Sequence, residues 1–141
     1  MQTKNRIRLA ASMSAMLAVS AILGACASAP ATSNHVTPSQ LNALKAEFDK
    51  QHLKVRGWMR VGFENRALWQ DKDASRRGSF AKDCVSLMIP ESLDVARFDK
   101  RYVEIEGVFL AKLPRDVVHI GGCNSTTLQL DELVRPVIVK P

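Results

Sequence analysis

Two stretches of this chain, Lys54–Val61 and Tyr102–Leu110, alternate apolar with polar residues. Such alternation is typical of a β-strand that buries one face and exposes the other. Gly57 and Gly107 lie near the middles of these stretches, and a small closed barrel needs glycines or bulges where its strands bend sharply. The length of 141 residues suffices for one small domain and is too short for two. The sequence therefore predicts a mainly β fold around a single core.

A helix is predicted to precede the first strand. Segment 37–40 reads TPSQ, which offers an N-cap threonine, a proline at the first helical position and a glutamine that completes a capping box. Leu41, Leu44 and Phe48 then follow at helical spacing. The pattern predicts an amphipathic helix that ends near Lys50.

The remaining segments predict four further strands, a short helix and a loop. Turn-forming residues separate the first strand from Ala67–Trp69, so these two are expected to form a hairpin. The other expected elements are a loop at Asp71–Ser79, a strand at Cys84–Ile89, a short helix at Glu91–Phe98, a strand at Leu128–Asp131 and an edge strand within Val134–Val139. With the helix between strands 3 and 4, this order matches the small five-stranded barrel of an OB-fold, an α+β arrangement that is mainly β. An open antiparallel sheet capped by the first helix is the alternative.

The N-terminal residues are typical of an export signal. Lys4, Arg6 and Arg8 precede a charge-free run that extends to Ala25. The run closes on Leu-Gly-Ala-Cys, which resembles the lipobox of bacterial lipoproteins and implies that Cys26 is the lipidated first residue of the mature chain. Plain secretion, with cleavage a few residues later, is the alternative.

The lipobox defines the expected organisation of the chain. Residues 1–25 are predicted to be a lipoprotein signal peptide, 26–36 a flexible tether rich in Ala, Ser and Thr, and 37–141 a single OB-like β-barrel domain. Ala27, rather than an aspartate, follows the lipidated cysteine, and by resemblance to sorted lipoproteins this favours the outer membrane, facing the periplasm.

Three segments together carry a second resemblance. They read VRGWM from Val55, FENRALW from Phe63 and VEIEGVF from Val103. The combination is similar to small uncharacterised bacterial envelope proteins with OB-like barrels, and it covers about Leu53 to Leu133. The resemblance implies a fold and a location in the cell envelope, and it implies no chemistry.

Two cysteines remain once Cys26 is assigned to the lipid anchor. In an oxidising compartment such a pair, here Cys84 and Cys123, most often forms a disulfide. The alternatives are a redox pair or a metal site that uses His119 with Cys123, but the sequence has no CxxC motif.

The outward face of the first strand is the predicted binding surface. Arg56, Trp58 and Arg60 project together there, and Arg66 and Trp69 follow on the hairpin. His119 is the sixth candidate binding residue. OB-folds bind extended polymers with arginines for anionic groups and aromatic rings for stacking. In the competing interpretation the first helix covers Trp58, and the arginines pair with acidic residues across the sheet. The residues expected in those contacts are Leu41, Leu44, Phe48, Glu64, Glu104 and Glu106.

Catalysis is not expected from this sequence. His119 lies near Asp116, Ser125 and Thr126, which could form a hydrolytic triad only if the fold brought them together. No nucleophile elbow, HExxH segment or phosphate-binding glycine loop is present. A small hydrolase or metal-dependent enzyme centred on His119 is therefore the alternative to a non-catalytic binding or structural module.

The composition bears on partners. The formal net charge is +6, and three of these charges belong to the predicted signal peptide, so the mature chain carries only about +3. A net charge this small attracts a nucleic-acid backbone only weakly, so we expect no nucleic-acid partner. No cofactor is predicted, and the expected partners are a membrane, through Cys26, and an envelope protein or polymer.

Overall fold

The structure is a computed structural model, and it describes residues 35–113 and 123–141. The predicted signal peptide, Cys26 and His119 lie outside the described residues. The elements are α1 (Pro38–Ala43), α2 (Lys45–Phe48), β1 (His52–Val61), β2 (Arg66–Trp69), α3 (Lys72–Arg77), β3 (Cys84–Met88), a 3₁₀ helix (Ala96–Phe98), β4 (Arg101–Leu110), β5 (Thr127–Leu130) and β6 (Val137–Ile138). The chain is mainly β, as predicted.

Five of the strands close into a barrel. Their order is β1-β2-β3-β5-β4, and β4 pairs back onto β1 from His52↔Val108 to Met59↔Arg101. The β3–β5 pairing is parallel, whereas the other pairings are antiparallel. This closed mixed barrel is consistent with an OB-like fold and excludes the open sheet.

Alternation along the strands builds the barrel interior. Every second residue of β4 from Val103 to Phe109 is buried, and Val55 and Met59 of β1 face the same core. The barrel interior comprises Leu41, Val55, Met59, Leu68, Val85, Leu87, Leu93, Val95, Phe98, Val103, Ile105, Phe109, Leu128 and Leu130. Leu41 comes from α1, and Leu93, Val95 and Phe98 come from the connection between β3 and β4, so these two segments complete the core.

Gly57 and Gly107 occupy points where neighbouring backbones approach closely. A Cβ atom on Gly57 would lie 2.4 Å from the Trp69 carbonyl oxygen, and one on Gly107 would lie 2.2 Å from the Gln129 carbonyl oxygen. Neither position has room for a side chain unless a strand moves. The two glycines therefore serve the close barrel geometry that their mid-strand positions predicted.

The predicted first helix is present, but it is divided. Gln40 Oε1 accepts a hydrogen bond from the Thr37 N–H at 2.9 Å, and Pro38 begins α1. Leu44 separates α1 from α2 and is 42% exposed, whereas Leu41 is fully buried in the barrel interior. The apolar stripe thus packs inward mainly through Leu41.

The chain ahead of α1 joins the sheet. Val36 forms a parallel bridge with Val55, in which the Val36 N–H donates to the Lys54 carbonyl at 2.8 Å and the Arg56 N–H donates to the Val36 carbonyl at 2.9 Å. The bridge pairs with the part of β1 that precedes the residues paired with β2.

The expected loop at Asp71–Ser79 is wrong, because most of it forms α3. Asp71 Oδ1 caps the helix by accepting a hydrogen bond from the Ala74 N–H at 2.7 Å. Gly78 ends it with the left-handed φ of 68°. The expected helix at Glu91–Phe98 is shorter than predicted, since only Ala96–Phe98 is helical.

Within the described ranges, every helix is too short or too polar to span a bilayer.

Candidate functional site

Strand β1 presents its basic and aromatic residues on the outside of the barrel. Alternation with the buried Val55 and Met59 places Arg56, Trp58 and Arg60 on the opposite face. We call these three residues the outer β1 face. All three are partly buried, so the strand and its neighbours hold them in place.

Acidic partners accompany the basic residues of this strand. The ion pairs are Lys54 Nζ–Glu106 Oε1 at 2.9 Å, Arg56 Nε–Glu104 Oε2 at 2.7 Å and Arg60 Nε–Asp99 Oδ1 at 3.7 Å. The expected pairing with Glu104 is confirmed for Arg56. Glu106 pairs with Lys54 instead of an arginine. Because each of these basic residues has an acidic partner, the surface has little net positive potential to attract a phosphate backbone.

Arg60 is held more loosely than Arg56. Its Nη1 lies 3.5 Å from Ser75 Oγ, and its Nε has no hydrogen-bond partner within residues 35–113 and 123–141 although this atom is buried. A buried donor without a partner carries a desolvation cost. Among the described residues, the Nε atom is therefore held only by the longer ion pair with Asp99, while the side chain as a whole is 36% exposed.

Helix α3, rather than the N-terminal helix, packs beside Trp58. Trp58 contacts a small cluster that includes Trp69 and Ala74, and Lys72 Nζ lies 5.8 Å from the centre of its ring. The expected cover by Leu41, Leu44 and Phe48 is wrong, because strand alternation directs Trp58 away from the interior that Leu41 fills.

Three aromatic residues lie in a row across the outside of the sheet. The register places Tyr102 of β4 and Trp69 of β2 on either side of Trp58. Burial raises the pKa of Tyr102, while the nearby Arg56 opposes this shift and Asp71 adds to it. Tyr102 and Trp58 are partly exposed, whereas Trp69 is covered. The accessible aromatic surface of the row is therefore supplied by Tyr102 and Trp58.

Trp69 does not belong to an exposed surface. It is only 1% exposed, it packs edge-on against Phe80 at 5.2 Å between ring centres, and its neighbour Ala74 comes from α3. The prediction that Trp69 contacts a partner directly is therefore corrected. Sequence alternation identified the correct face, but it could not show that α3 and Phe80 fold back over this residue.

Arg66 also lies apart from the outer β1 face. It pairs with Val61 at the start of β2 and is exposed. There it borders a cavity of about 150 Å³ whose other lining residues are Val61, Ile89, Pro90, Glu91, Leu93 and Val95. The five predicted binding residues that the structure describes are thus divided among an open face, a buried cluster and one end of the barrel, and the sixth, His119, lies outside the described residues.

The predicted disulfide between Cys84 and Cys123 is present, with 5.5 Å between the two Cα atoms. Nearby side-chain amides join the same region to α1. Asn42 Nδ2 donates to the Cys84 carbonyl at 2.9 Å, and Asn124 Nδ2 donates to Asn42 Oδ1 at 2.9 Å. Thr126 is fully buried, and its hydroxyl donates to Asn42 Oδ1 at 2.9 Å. Thr126 therefore has a structural role in this network.

The residues of the catalytic alternative are not brought together in the described part of the chain, because His119 and Asp116 lie outside it. The catalytic alternative therefore remains a prediction from the sequence.

Searches against protein-family models, curated proteins and solved structures found no match to this chain.

Proposed function

We propose that this chain is a lipid-anchored protein of the bacterial cell envelope and that its barrel is a non-catalytic binding module. The lipobox-like segment ending at Cys26 supports the anchor. The Cys84–Cys123 disulfide is in keeping with an oxidising compartment, where such bonds persist. On this proposal the barrel faces the periplasm from the outer membrane.

The observation that carries the binding role is the juxtaposition of Trp58 and Arg60. Trp58 offers part of an aromatic ring from a rigid strand, and two residues away the Arg60 side chain is 36% exposed and only loosely paired with Asp99. Aromatic surface and the N–H donors of an exposed guanidinium in one place suit a ligand that carries both apolar ring faces and oxygen acceptors.

A glycan polymer of the envelope meets these requirements better than a nucleic acid. Sugars supply ring faces together with hydroxyl and carboxylate oxygens, and OB-folds are known to bind oligosaccharides. Nucleic-acid binding depends on uncompensated positive charge, whereas the arginines of this face have acidic neighbours. We therefore propose a glycan as the partner of the outer β1 face.

The anchor is tested by mass spectrometry of the protein purified from a bacterial envelope. We expect a mature chain that begins at Cys26 and carries fatty acids. A Cys26→Ala variant should lose the lipid and leave the membrane fraction. Retention of residues 1–25 on the native protein would contradict the anchor and leave the binding test unaffected.

The binding role is tested by sedimentation of the full chain with purified peptidoglycan sacculi. Trp58→Ala and Arg60→Gln should each reduce the bound fraction at least fivefold. Phe63→Ala is the matched control, because Phe63 is 96% exposed in the β1–β2 turn and lies outside the outer β1 face. Unchanged binding by the first two variants, or salt-sensitive binding to single-stranded DNA instead, would contradict the proposal.

A further inference from the structure

Three metal-ligating side chains from distant parts of the chain meet on the outside of the barrel. They are His52 at the first position of β1, Glu106 on β4 and Asp131 immediately after β5. One ligand atom from each lies within 4.8 Å of the other two. His52 Nε2 and Asp131 Oδ2 are 2.5 Å apart.

The strand register explains why these side chains converge. His52 is paired with Val108 and Lys54 with Glu106, so Glu106 is the diagonal neighbour of His52 on the same outer face. On the other side of β4, the Asp131 N–H approaches the Glu106 carbonyl at 3.5 Å. Rigid strand pairing therefore fixes the backbone positions of all three residues.

We propose that His52, Glu106 and Asp131 form a binding site for a divalent transition-metal ion, with zinc as the reference case. An imidazole nitrogen with carboxylate oxygens is an established ligand set for zinc, at about 2.0 to 2.2 Å from the metal. Tetrahedral coordination at those lengths needs ligand atoms about 3.3 Å apart. His52 Nε2 and Asp131 Oδ2 are 2.5 Å apart and no pair of the three ligand atoms is more than 4.8 Å apart, so the changes needed are on the scale of side-chain rotation.

The exposure of the site permits that rotation and sets its coordination. The side chains of His52 and Asp131 are 53% and 30% exposed, so solvent reaches the place where the ion would lie. Three protein ligands leave a fourth position for water or for an incoming ligand. The imidazole distinguishes the site from an all-oxygen cluster, which would favour magnesium or calcium.

Lys54 is the competitor of the metal ion. Its Nζ lies 2.9 Å from Glu106 Oε1, so the ammonium group occupies one of the carboxylate oxygens that would bind the ion. The lysine side chain is 50% exposed, so it can swing into solvent when a cation takes its place. Removing this ammonium group should therefore strengthen metal binding.

The experiment is a calorimetric titration of ZnCl₂ into the untagged full chain, held in detergent and first stripped with a chelator. We expect one zinc ion per chain. His52→Ala, Glu106→Gln and Asp131→Asn should each weaken binding at least tenfold, and Lys54→Met should strengthen it about threefold. The wild-type protein should also unfold at a higher temperature with zinc present.

Two sets of controls isolate the site. Glu104→Gln lies two residues from Glu106 on the same outer face of β4 and belongs to the Arg56 pair, so it should change zinc affinity less than twofold. His35→Ala and His119→Ala test the other histidines of the chain and should also leave it unchanged. Circular dichroism checks that each variant remains folded.

Several outcomes would overturn this proposal. One is the absence of zinc binding below 1 mM, and another is unchanged affinity in His52→Ala. A loss in His52→Ala and Asp131→Asn without any loss in Glu106→Gln would reduce the cluster to a two-residue contact. Equal affinity for Mg²⁺ and Zn²⁺ would indicate general attraction to surface carboxylates.

Discussion

The barrel interior and the cluster beneath α3 bury their side chains in different ways. The interior is aliphatic apart from two phenylalanines and a methionine, and every barrel strand contributes to it. The second cluster, which we call the outer cluster, lies outside the barrel wall and comprises Ala67, Trp69, Ala74 and Cys84 with Trp58 and Cys123 beside them. The barrel interior forms because the strands alternate inward-facing and outward-facing residues. The outer cluster forms because α3 folds back over the outside of the sheet.

Two tryptophans in register show the difference most clearly. Trp58 and Trp69 are directly paired across β1 and β2, so their side chains leave the same face of the sheet. Trp69 is fully covered, while Trp58 keeps part of its surface in solvent. Position on a strand therefore determines the face, and the cover provided by α3 determines the burial.

The largest expected effect comes from truncating the covered tryptophan. Trp69→Ala should lower the free energy of unfolding by about 4 kcal/mol, because it leaves a cavity beneath α3. Trp58→Ala should lower it by about 1 to 2 kcal/mol, since part of that indole is already exposed. Urea unfolding followed by circular dichroism measures both. Equal losses at the two positions would show that the cover of α3 over Trp69 adds no stability beyond that of the partly exposed Trp58.

Opening the disulfide should weaken the outer cluster. Replacing both Cys84 and Cys123 by Ala should cost about 3 kcal/mol, because the bond closes a chain segment with a separation of 39 residues. Thermal unfolding with and without reductant provides the measurement. The reduced wild-type protein should match the double variant, and a difference of less than about 0.5 kcal/mol from the oxidised protein would show that the bond is dispensable.

A smaller change in the barrel wall tests the interior. Gly57→Ala should cost about 2 kcal/mol, because its Cβ would meet the Trp69 carbonyl and the Leu68 side chain. Gly62→Ala is the matched control, since no atom lies within 4 Å of its added Cβ, and it should change stability by less than about 0.5 kcal/mol. Guanidinium titrations of the two variants compare them directly. Equal stabilities would mean that the strands separate without cost.

The smallest expected effect depends on pH and concerns the link between α1 and β3. Hydrogen bonds from the hydroxyls of Ser79 and Ser39 lower the pKa of Asp83. A carboxyl group whose pKa is lower in the folded state stabilises the fold above its unfolded pKa, and this contribution disappears as pH falls through the folded value. Asp83→Asn should therefore be less stable than wild type at pH 7, and the difference should narrow as pH falls below the ordinary aspartate pKa of about 3.9. Urea midpoints at pH 7, 5 and 3 test this, and a constant difference would show that ionisation of Asp83 is unimportant.

The sequence predicted the parts of the fold that depend on local pattern. Alternation located β1 and β4 within two residues of their observed bounds, and the mid-strand glycines indicated closure. Helix α3 was missed because it spans only six residues and buries Ala74 alone, which leaves no helical stripe to detect. Its Asp71 cap and Gly78 terminus were readable signals.

Prediction of the sites depended on how far apart their residues are along the chain. Arg56, Trp58 and Arg60 are neighbours on one strand, so alternation alone grouped them correctly. Arg66 lies beyond the turn between β1 and β2. The strand register pairs it with Val61, so its side chain is not on the face that carries Arg60. His52 and Asp131 are separated by 79 residues, and only the pairing of β4 with both β1 and β5 brings them together.

The bridge between Val36 and β1 has a mechanical consequence for an anchored protein. Tension carried by the chain ahead of His35 reaches the two backbone hydrogen bonds of this bridge before it reaches α1. If Cys26 anchors the chain as proposed, this bridge is the first contact of the domain to receive a load from the membrane.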